Sequence, residues 1–435
     1  MQKILKTLSA HGFEARCVGG CVRDSLLGRT PDDWDVATGA LPEQVLTLFG
    51  DSALPTGLRH GTVTVKTEGR HVEVTTYRLD GLYRDGRHPE SVTFTRSLSE
   101  DLRRRDFTVN AMALDETGVL TDPWGGRDDC NARLLRCVGN PDERFGEDAL
   151  RILRCLRFAS VLGFSIEQVT AGSLRRNREL LRRIAPERIR TELTKLLCGD
   201  GAAAVLRGYP EVFGVFLPEL SPLFGFDQKN RHHCYDVWEH TLHSLVEVEP
   251  DPVLRYTMLL HDIGKPRCFT LDRAGAGHFY GHPKVSFELA DDILRRLRFD
   301  HTTRETVLRL IEWHDRDIPR TEKGVRRVLA RLGEKDLRLL LLVKRADNLA
   351  QHPDFRGMQD EIGKAEALLD GLLAKDSCVS LRQLKVNGND LCFLGYQGPQ
   401  IGAALNDLLR RVVDGELEND RDILLNELRA GVSKT

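Results

Sequence analysis

The hydrophobic pattern changes its period once along this chain, near residue 140, and that change limits the fold to two unlike parts. Upstream, short runs rich in β-branched residues (15–18, 34–38, 62–67 and 72–77) alternate with helical segments at 22–27, closed by Gly28, and at 42–49. Downstream, arginine-rich amphipathic stretches run to about 200, and a second helical block holding most of the histidines runs from about 231 to 370. The expected class is α+β, a mixed sheet with helices followed by an all-α remainder. With 435 residues, 41% hydrophobic and 29% charged, the chain is long and apolar enough for several cores. The expected division is a head at 1–140, a neck at 141–205, a helical body at 206–370 and a helical tail at 371–435. Gly199 and Gly201 with the stretch 210–222 predict one joint, and 375–379 predicts another. Within the tail, Gly398-Pro399 predicts a break before a helix from Ile401.

Several classes are excluded. The longest apolar runs, such as 339–343, fall far short of the roughly 18 residues a membrane span needs. The first twenty residues carry no apolar leader, so a cytoplasmic protein with no membrane partner is expected. Ten scattered cysteines form no CxxC pair, which argues against a disulfide framework or a zinc knuckle. Net charge is −2, yet residues 144–195 hold twelve Lys/Arg against six Asp/Glu, a local excess that suits a polyanion.

Three pieces of the head carry chemistry. In Val18-Gly19-Gly20-Cys21-Val22-Arg23-Asp24 a strand enters a helix through two glycines, which let a backbone approach phosphate at a helix start, with Arg23 as a fixed cation. In Asp32-Asp33-Trp34-Asp35-Val36 the alternation of a strand turns Asp33 and Asp35 to one side. Two carboxylates aimed at one point call for a cation, and hard oxygen donors favour Mg²⁺. In Arg104-Arg105-Asp106-Phe107-Thr108-Val109-Asn110-Ala111, Asp106 and Asn110 are four apart on an expected helix, placed to take ribose hydroxyls while the arginines reach phosphates.

Together these residues resemble the nucleotidyltransferase head of the DNA polymerase β superfamily. More narrowly, they resemble the class II tRNA nucleotidyltransferases, the CCA-adding enzymes, and the related bacterial poly(A) polymerases. The family's GGxVRDxLLG is matched from Gly19 to Gly28, its DxD by Asp33 and Asp35, and its RRDFTxNA from Arg104 to Ala111. The resemblance implies Mg²⁺ at the head, held by Asp33 and Asp35 with Glu73 as a third carboxylate on an adjacent strand. The ions would activate an RNA 3′-hydroxyl and steady the leaving pyrophosphate.

The family's nucleotide-selecting EDxxR is matched by Glu147-Asp148-Ala149-Leu150-Arg151, expected to open an arginine-rich helix. Asp148 and Arg151, three apart, are neighbours on such a helix. An acceptor beside a donor complements cytosine and adenine, which both present an amino group next to a ring nitrogen. Uracil and guanine present the reverse pattern. Two unpaired buried groups at about 1–3 kcal/mol each give a discrimination on the order of 10²–10⁴. Arg154 and Arg157 on the same helix are assigned to the nucleotide as well. Residues 186–192 resemble the family's ERIxxE element, which braces the selecting helix, and 80–89 resembles the flexible head loop, which CC-only enzymes shorten.

The histidine block reads His240, His261-Asp262, His282, His314 and Asp347, and resembles the HD superfamily of metal-dependent phosphohydrolases. The resemblance assigns His240, His261, Asp262 and Asp347 to one divalent metal, with His282 and His314 serving a second. By spacing, His243 is an alternative to His240; His232, His233 and His278 are expected to stay outside.

The expected activity is addition of C, C and A to the tRNA 3′ end from CTP and ATP, without a template. The acceptor and T arms would be held by the helical body and tail through shape and phosphate contacts. The alternatives are an A-adding specialist, a poly(A) polymerase, and an HD phosphohydrolase with an RNA-docking head. Residues 400–435 hold five Lys/Arg against seven Asp/Glu, unlike the basic tail a poly(A) polymerase carries.

Overall fold

The structure is a computed structural model that describes residues 1–67, 69–81, 92–375 and 378–432. From residue 82 on, the loop expected at 80–89 lies outside the described residues. Contacts divide the chain into two units, Met1–Ser221 with Arg296–Arg298, and Pro222–Arg295 with Phe299–Thr435.

The first unit is built on a seven-stranded sheet. Its strands are β1 (Ala15–Val18), β2 (Asp35–Thr38), β3 (Ala53–Gly57), β4 (Thr62–Thr67), β5 (Arg70–Thr76), β6 (Ala113–Leu114) and β7 (Leu120–Thr121). They lie in the order β3-β4-β5-β2-β1-β6-β7. The sheet is mixed: β2 runs parallel to β5, and β1 runs antiparallel to β2. In β5, Val72, Val74 and Thr76 are buried, so Glu73 stands on the opposite face. The strand expected from residue 34 begins at Asp35, and Asp33 sits in the bend before it rather than on the strand. The helix expected at 22–27 starts two residues earlier, as α1 (Gly20–Leu26).

Beyond the sheet this unit is helical. The helix α2 (Leu150–Leu162) ends at Gly163, whose φ of 69° supplies the left-handed cap. The helix α3 (Pro186–Leu197) starts on a proline, which gives up no helical hydrogen bond there. The joint expected at 199–222 is a packed series of short helices, including Ala202–Gly208 and Pro210–Phe213. Its glycines serve close approach: a Cβ on Gly199 would lie 2.4 Å from Ser160 Oγ, and that hydroxyl donates to Leu196 O at 2.6 Å. Helices α2 and α3 are thereby fixed to each other.

The second unit holds α4 (Val237–Val246), α5 (Pro252–Leu260), α6 (His282–Arg296), α7 (His301–Trp313) and α8 (Glu322–Leu349), the last kinked at Gly333. Four of these helices start on a side-chain cap, with Asp236, Asp251, Asp300 and Thr321 accepting a backbone N–H three residues on. The tail has its own core around Leu384, Val386, Leu391, Leu408, Leu424 and Leu428. The tail helix begins at Pro399, just after Gly398 at φ 50°, two residues ahead of the expected start. Among the described residues no helix is long and apolar enough to cross a membrane.

Candidate active site

At the end of β1, Gly19 adopts φ 80°, ψ −136°, a conformation only glycine takes readily, and α1 starts on the next residue. A Cβ there would stand 3.0 Å from Arg105 Nη1 and 3.8 Å from Asp35 Oδ2. The glycine thus lets the backbone pass between a cation and a carboxylate. The strand register does the rest. Val18 lies opposite Asp35 across β1 and β2, and Asp35 lies opposite Glu73 across β2 and β5. Desolvation and the charges of Glu73 and Asp33 push the Asp35 carboxyl up, while Arg105 pulls it down. Carboxylate oxygens are the hard donors a divalent cation takes, but Asp33, Asp35 and Glu73 are not among the groups of the described residues that lie close enough together to share one ion.

Beside them opens a cavity of about 370 Å³. Of the fourteen head residues singled out from the sequence, twelve line it; Asp33 and Glu73 do not. The lining carries six arginines against three aspartates, a surplus of positive charge suited to a polyphosphate.

Each group in the wall is held. The Asp101 carboxylate, 1% exposed, takes Arg104 Nη2 at 2.8 Å and Arg105 Nη2 at 3.4 Å. Arg154 binds Asp106 Oδ2 through Nε at 2.9 Å and Nη2 at 2.7 Å. The other oxygen of Asp106 accepts Asn110 Nδ2 at 3.1 Å, and Asn110 Oδ1 accepts Arg23 Nη1 at 2.7 Å. Burial pushes the Asp106 carboxyl up, but Arg154 and Asn110 outweigh it and hold the group at about 2. Arg157 Nε lies 2.8 Å from Glu192 Oε2, so the acidic end of the ERIxxE element does meet α2.

In the second unit six buried or partly buried groups meet. His240 Nε2 lies 2.8 Å from Asp347 Oδ1, and His261 Nε2 lies 3.3 Å from Asp262 Oδ2. The other Asp262 oxygen lies 3.3 Å from His282 Nε2 and 3.8 Å from His314 Nε2. Two sets close enough to hold an ion result, His240/His261/Asp347 and Asp262/His282/His314.

All four imidazoles are oriented alike. Nδ1 faces a carbonyl oxygen in each: Ala350 O for His240 (3.3 Å), Met258 O for His261 (2.8 Å), Phe279 O for His282 (2.9 Å) and Ile311 O for His314 (2.7 Å). A carbonyl only accepts, so each Nδ1 carries a proton, which leaves the inward-facing Nε2 as the atom each ring can offer to a cation. The Nε2 atoms of His282 and His314 are 3.1 Å apart, an arrangement that two lone pairs reject and a shared cation accepts. Burial pulls the His261 imidazole down, yet Asp262 and Asp347 drive it up to about 10, a field that strongly favours positive charge at this point. The donor set fits divalent metal.

Three family models match, in chain order: Poly A polymerase head domain over residues 15–136, Probable RNA and SrmB- binding site of polymerase A over 163–223, and HD domain over 231–351. The CCA-adding enzyme of Geobacillus stearothermophilus is 36% identical over 422 residues, 96% of this chain and 93% of the relative. The chain belongs to the CCA-adding enzyme family. The CCA-adding enzyme of Limosilactobacillus fermentum is 35% identical over 427 residues, covering 97% of this chain and 94% of the relative. Among solved structures, the Bacillus stearothermophilus CCA-adding enzyme in complex with CTP superposes with a TM-score of 0.75 at 30% identity, over 100% of this chain and 97% of that one. The fold is therefore that of a CCA-adding enzyme, a nucleotidyltransferase head followed by an HD domain.

In this CCA-adding enzyme relative three local expectations are corrected. Asp106 and Asn110 share a face without a helix. Phe107 is drawn into a bridge with Cys137, so the chain turns through 104–106 and makes only a short 3-10 turn at Thr108–Asn110. Glu147 and Asp148 do not open α2: Glu147 ends the preceding helix Pro141–Glu147, and Asp148 is extended (φ −137°, ψ 103°), its Oδ1 accepting Leu150 N at 3.0 Å. Asp148 and Arg151 each hold a different partner. Asp148 Oδ2 takes Arg188 Nη2 at 3.0 Å, and Arg151 Nη1 takes Glu147 Oε2 at 2.6 Å. In the HD domain, Asp262 groups with His282 and His314 and not with His240, His261 and Asp347, although its Oδ2 lies 3.3 Å from His261 Nε2. His243 is outside, stacked on Tyr235 at 4.1 Å, and His233 lies 5.0 Å from His240 without joining either set.

Sequence reasoning missed Asp101, Phe158, Arg188 as the partner of Asp148, and Lys265, whose Nζ lies 2.7 Å from Asp262 Oδ2 and donates to Gln228 Oε1 at 3.0 Å. The one available signal was for Lys265, three residues past Asp262 and on the same turn.

Proposed function

We propose that this chain adds C, C and A in turn to the 3′ end of tRNA, from CTP and ATP with release of pyrophosphate and without a nucleic-acid template. The observation that carries this reading is one cavity walled by the Gly19 turn, Asp35, the Arg104-Arg105 pair and the Asp148/Arg151 pair. The six arginines would take the triphosphate, and Asp106 and Asn110 would orient the ribose. Asp148 and Arg151 would meet the base edge by exchanging their present partners, Arg188 and Glu147. Asp33, Asp35 and Glu73 would hold Mg²⁺, which when bound lowers the pKa of the attacking hydroxyl and offsets charge on the leaving pyrophosphate. The acceptor and T arms of tRNA would lie on the helical neck, body and tail, in a cytoplasmic setting.

The test is incubation with Mg²⁺ and a tRNA transcript ending before CCA, given CTP, ATP or both, with single additions resolved on a gel. Two additions with CTP and a third only when ATP is present are expected. Adding A solely onto transcripts ending in CC would make it an A-adding specialist, long A tails a poly(A) polymerase, and no addition at all would sink the head reading.

We infer a second activity for the HD domain, metal-dependent hydrolysis of a phosphate ester. The four inward-facing Nε2 atoms support it. Release of phosphate in the presence of Ni²⁺, Mn²⁺ or Mg²⁺, lost in Asp262→Ala, is the expected result; a flat screen with all three overturns it.

A further inference from the structure

One side chain in the head cavity is neither charged nor a hydrogen-bonding group. Phe158, on α2 one turn past Arg154, is 7% exposed and lies edge-on to Phe107, ring centroids 5.9 Å apart at 83°. An aromatic residue at such a spacing would ordinarily be core. Its surroundings are not those of a core residue. The guanidinium carbons of Arg157, Arg23 and Arg154 lie 3.9, 5.2 and 5.4 Å from its ring centroid.

Three like charges gathered around one point repel one another. Each already has a carboxylate partner: Glu192 for Arg157, Asp106 for Arg154 and Asp24 for Arg23. Burial also pulls the Arg157 group down, so this cation, the one nearest the ring, gains from a further source of negative potential. The face of a benzene ring supplies that potential without supplying a competing anion. A carboxylate in the same place would cancel the charge the cavity offers to phosphate; an aliphatic side chain would leave the cations unsupported.

We propose that Phe158 is a positioning residue for the incoming nucleotide: its ring gathers Arg23, Arg154 and Arg157 into a fixed cationic wall that binds the part CTP and ATP have in common. The inference rests on the head cavity being the nucleotide site. It places the effect of the ring on affinity for both nucleotides alike, and leaves the choice between them to Asp148 and Arg151.

The decisive experiment replaces Phe158 in the full chain by 4-fluoro-, 3,5-difluoro- and 3,4,5-trifluorophenylalanine. These rings keep the shape and withdraw the negative face stepwise. Steady-state kinetics with CTP and ATP, equilibrium CTP binding, and Tm are measured on each. KM for both nucleotides should rise in step with fluorination, reaching roughly three- to tenfold at three fluorines, while kcat, the order of C and A addition and Tm hold. A KM that stays flat through the series, or one that rises only as Tm falls, overturns the proposal and leaves the ring as packing. If the wild-type protein binds CTP without incorporating it, the proposed activity falls alone, and the series is read in Kd. If it binds no CTP, both fall.

Discussion

The head cavity and the HD cluster solve the problem of gathering charge in opposite ways. In the head, the groups placed to meet ribose and base are occupied by neighbours of opposite sign: Arg154 by Asp106, Arg151 by Glu147, Asp148 by Arg188. These partners are exchangeable, because a nucleotide offers equivalent bonds and the cavity is open to it. In the HD cluster the buried His261 Nε2 makes no hydrogen bond, and four Nε2 atoms converge on Asp262 and Asp347. The groups there face one another across the two sets, and a cation between them is what their donor atoms fit. One region is built to trade partners, the other to wait for a single kind of guest.

The largest test of that contrast separates the two regions outright. Asp35→Ala should lower nucleotide incorporation by roughly 10³-fold or more and leave phosphate-ester hydrolysis intact; Asp262→Ala should do the reverse. Loss of both activities in either variant would mean that the regions are not independent. Next, Arg151→Ala should relax the choice among bases by roughly 10²-fold while preserving transfer, scored by misincorporation of U and G. Full C and A fidelity in this variant would break the exchange of partners proposed for the head.

Stripping divalent ions with a chelator should lower the Tm of the protein, and adding back Ni²⁺ or Mn²⁺ should restore it. The gain is on the order of 3 kcal/mol per site at a hundredfold excess over Kd, and the share owed to the Asp262/His282/His314 set should vanish in His282→Ala/His314→Ala. The smallest effect concerns Asp106, held at about 2 by Arg154 and Asn110 despite its burial. Its folded pKa lies below the ordinary carboxylate value, so its contribution to stability is complete above about pH 4 and is lost as pH falls towards 2. Denaturant unfolding of Asp106→Asn should therefore differ from wild type by about 2 kcal/mol at pH 7, with the gap closing on acidification. A gap that is constant with pH would assign the Asp106 contribution to shape instead of charge.

What could be read from the sequence was what is local in it. The Gly19 turn follows from a motif that spans few residues, whereas Glu73 and the HD set, spread over residues 240–347, were named through the resemblance to known families. Contacts set by tertiary approach could not be read. Arg188 reaches Asp148 across 40 positions; the ERIxxE resemblance announced that its segment braces the helix, but not this pair. The helix expected through Asp106 failed for the same reason: its backbone is claimed by Cys137, thirty residues on, through Phe107. Phe158 was hidden by its chemistry, since a phenylalanine among arginines on an amphipathic helix looks like the apolar face of that helix.

The four histidines of the HD domain differ in where their orientation comes from. For His261, His282 and His314 the carbonyl that fixes the ring belongs to the residue three positions earlier in the chain. Only His240 borrows its acceptor from a distant segment, at Ala350. Three of the ligands are thus aimed by tetrapeptides that carry their own bracket. A change in the segment that carries Ala350 would therefore re-aim His240 alone, while the other three rings keep their brackets.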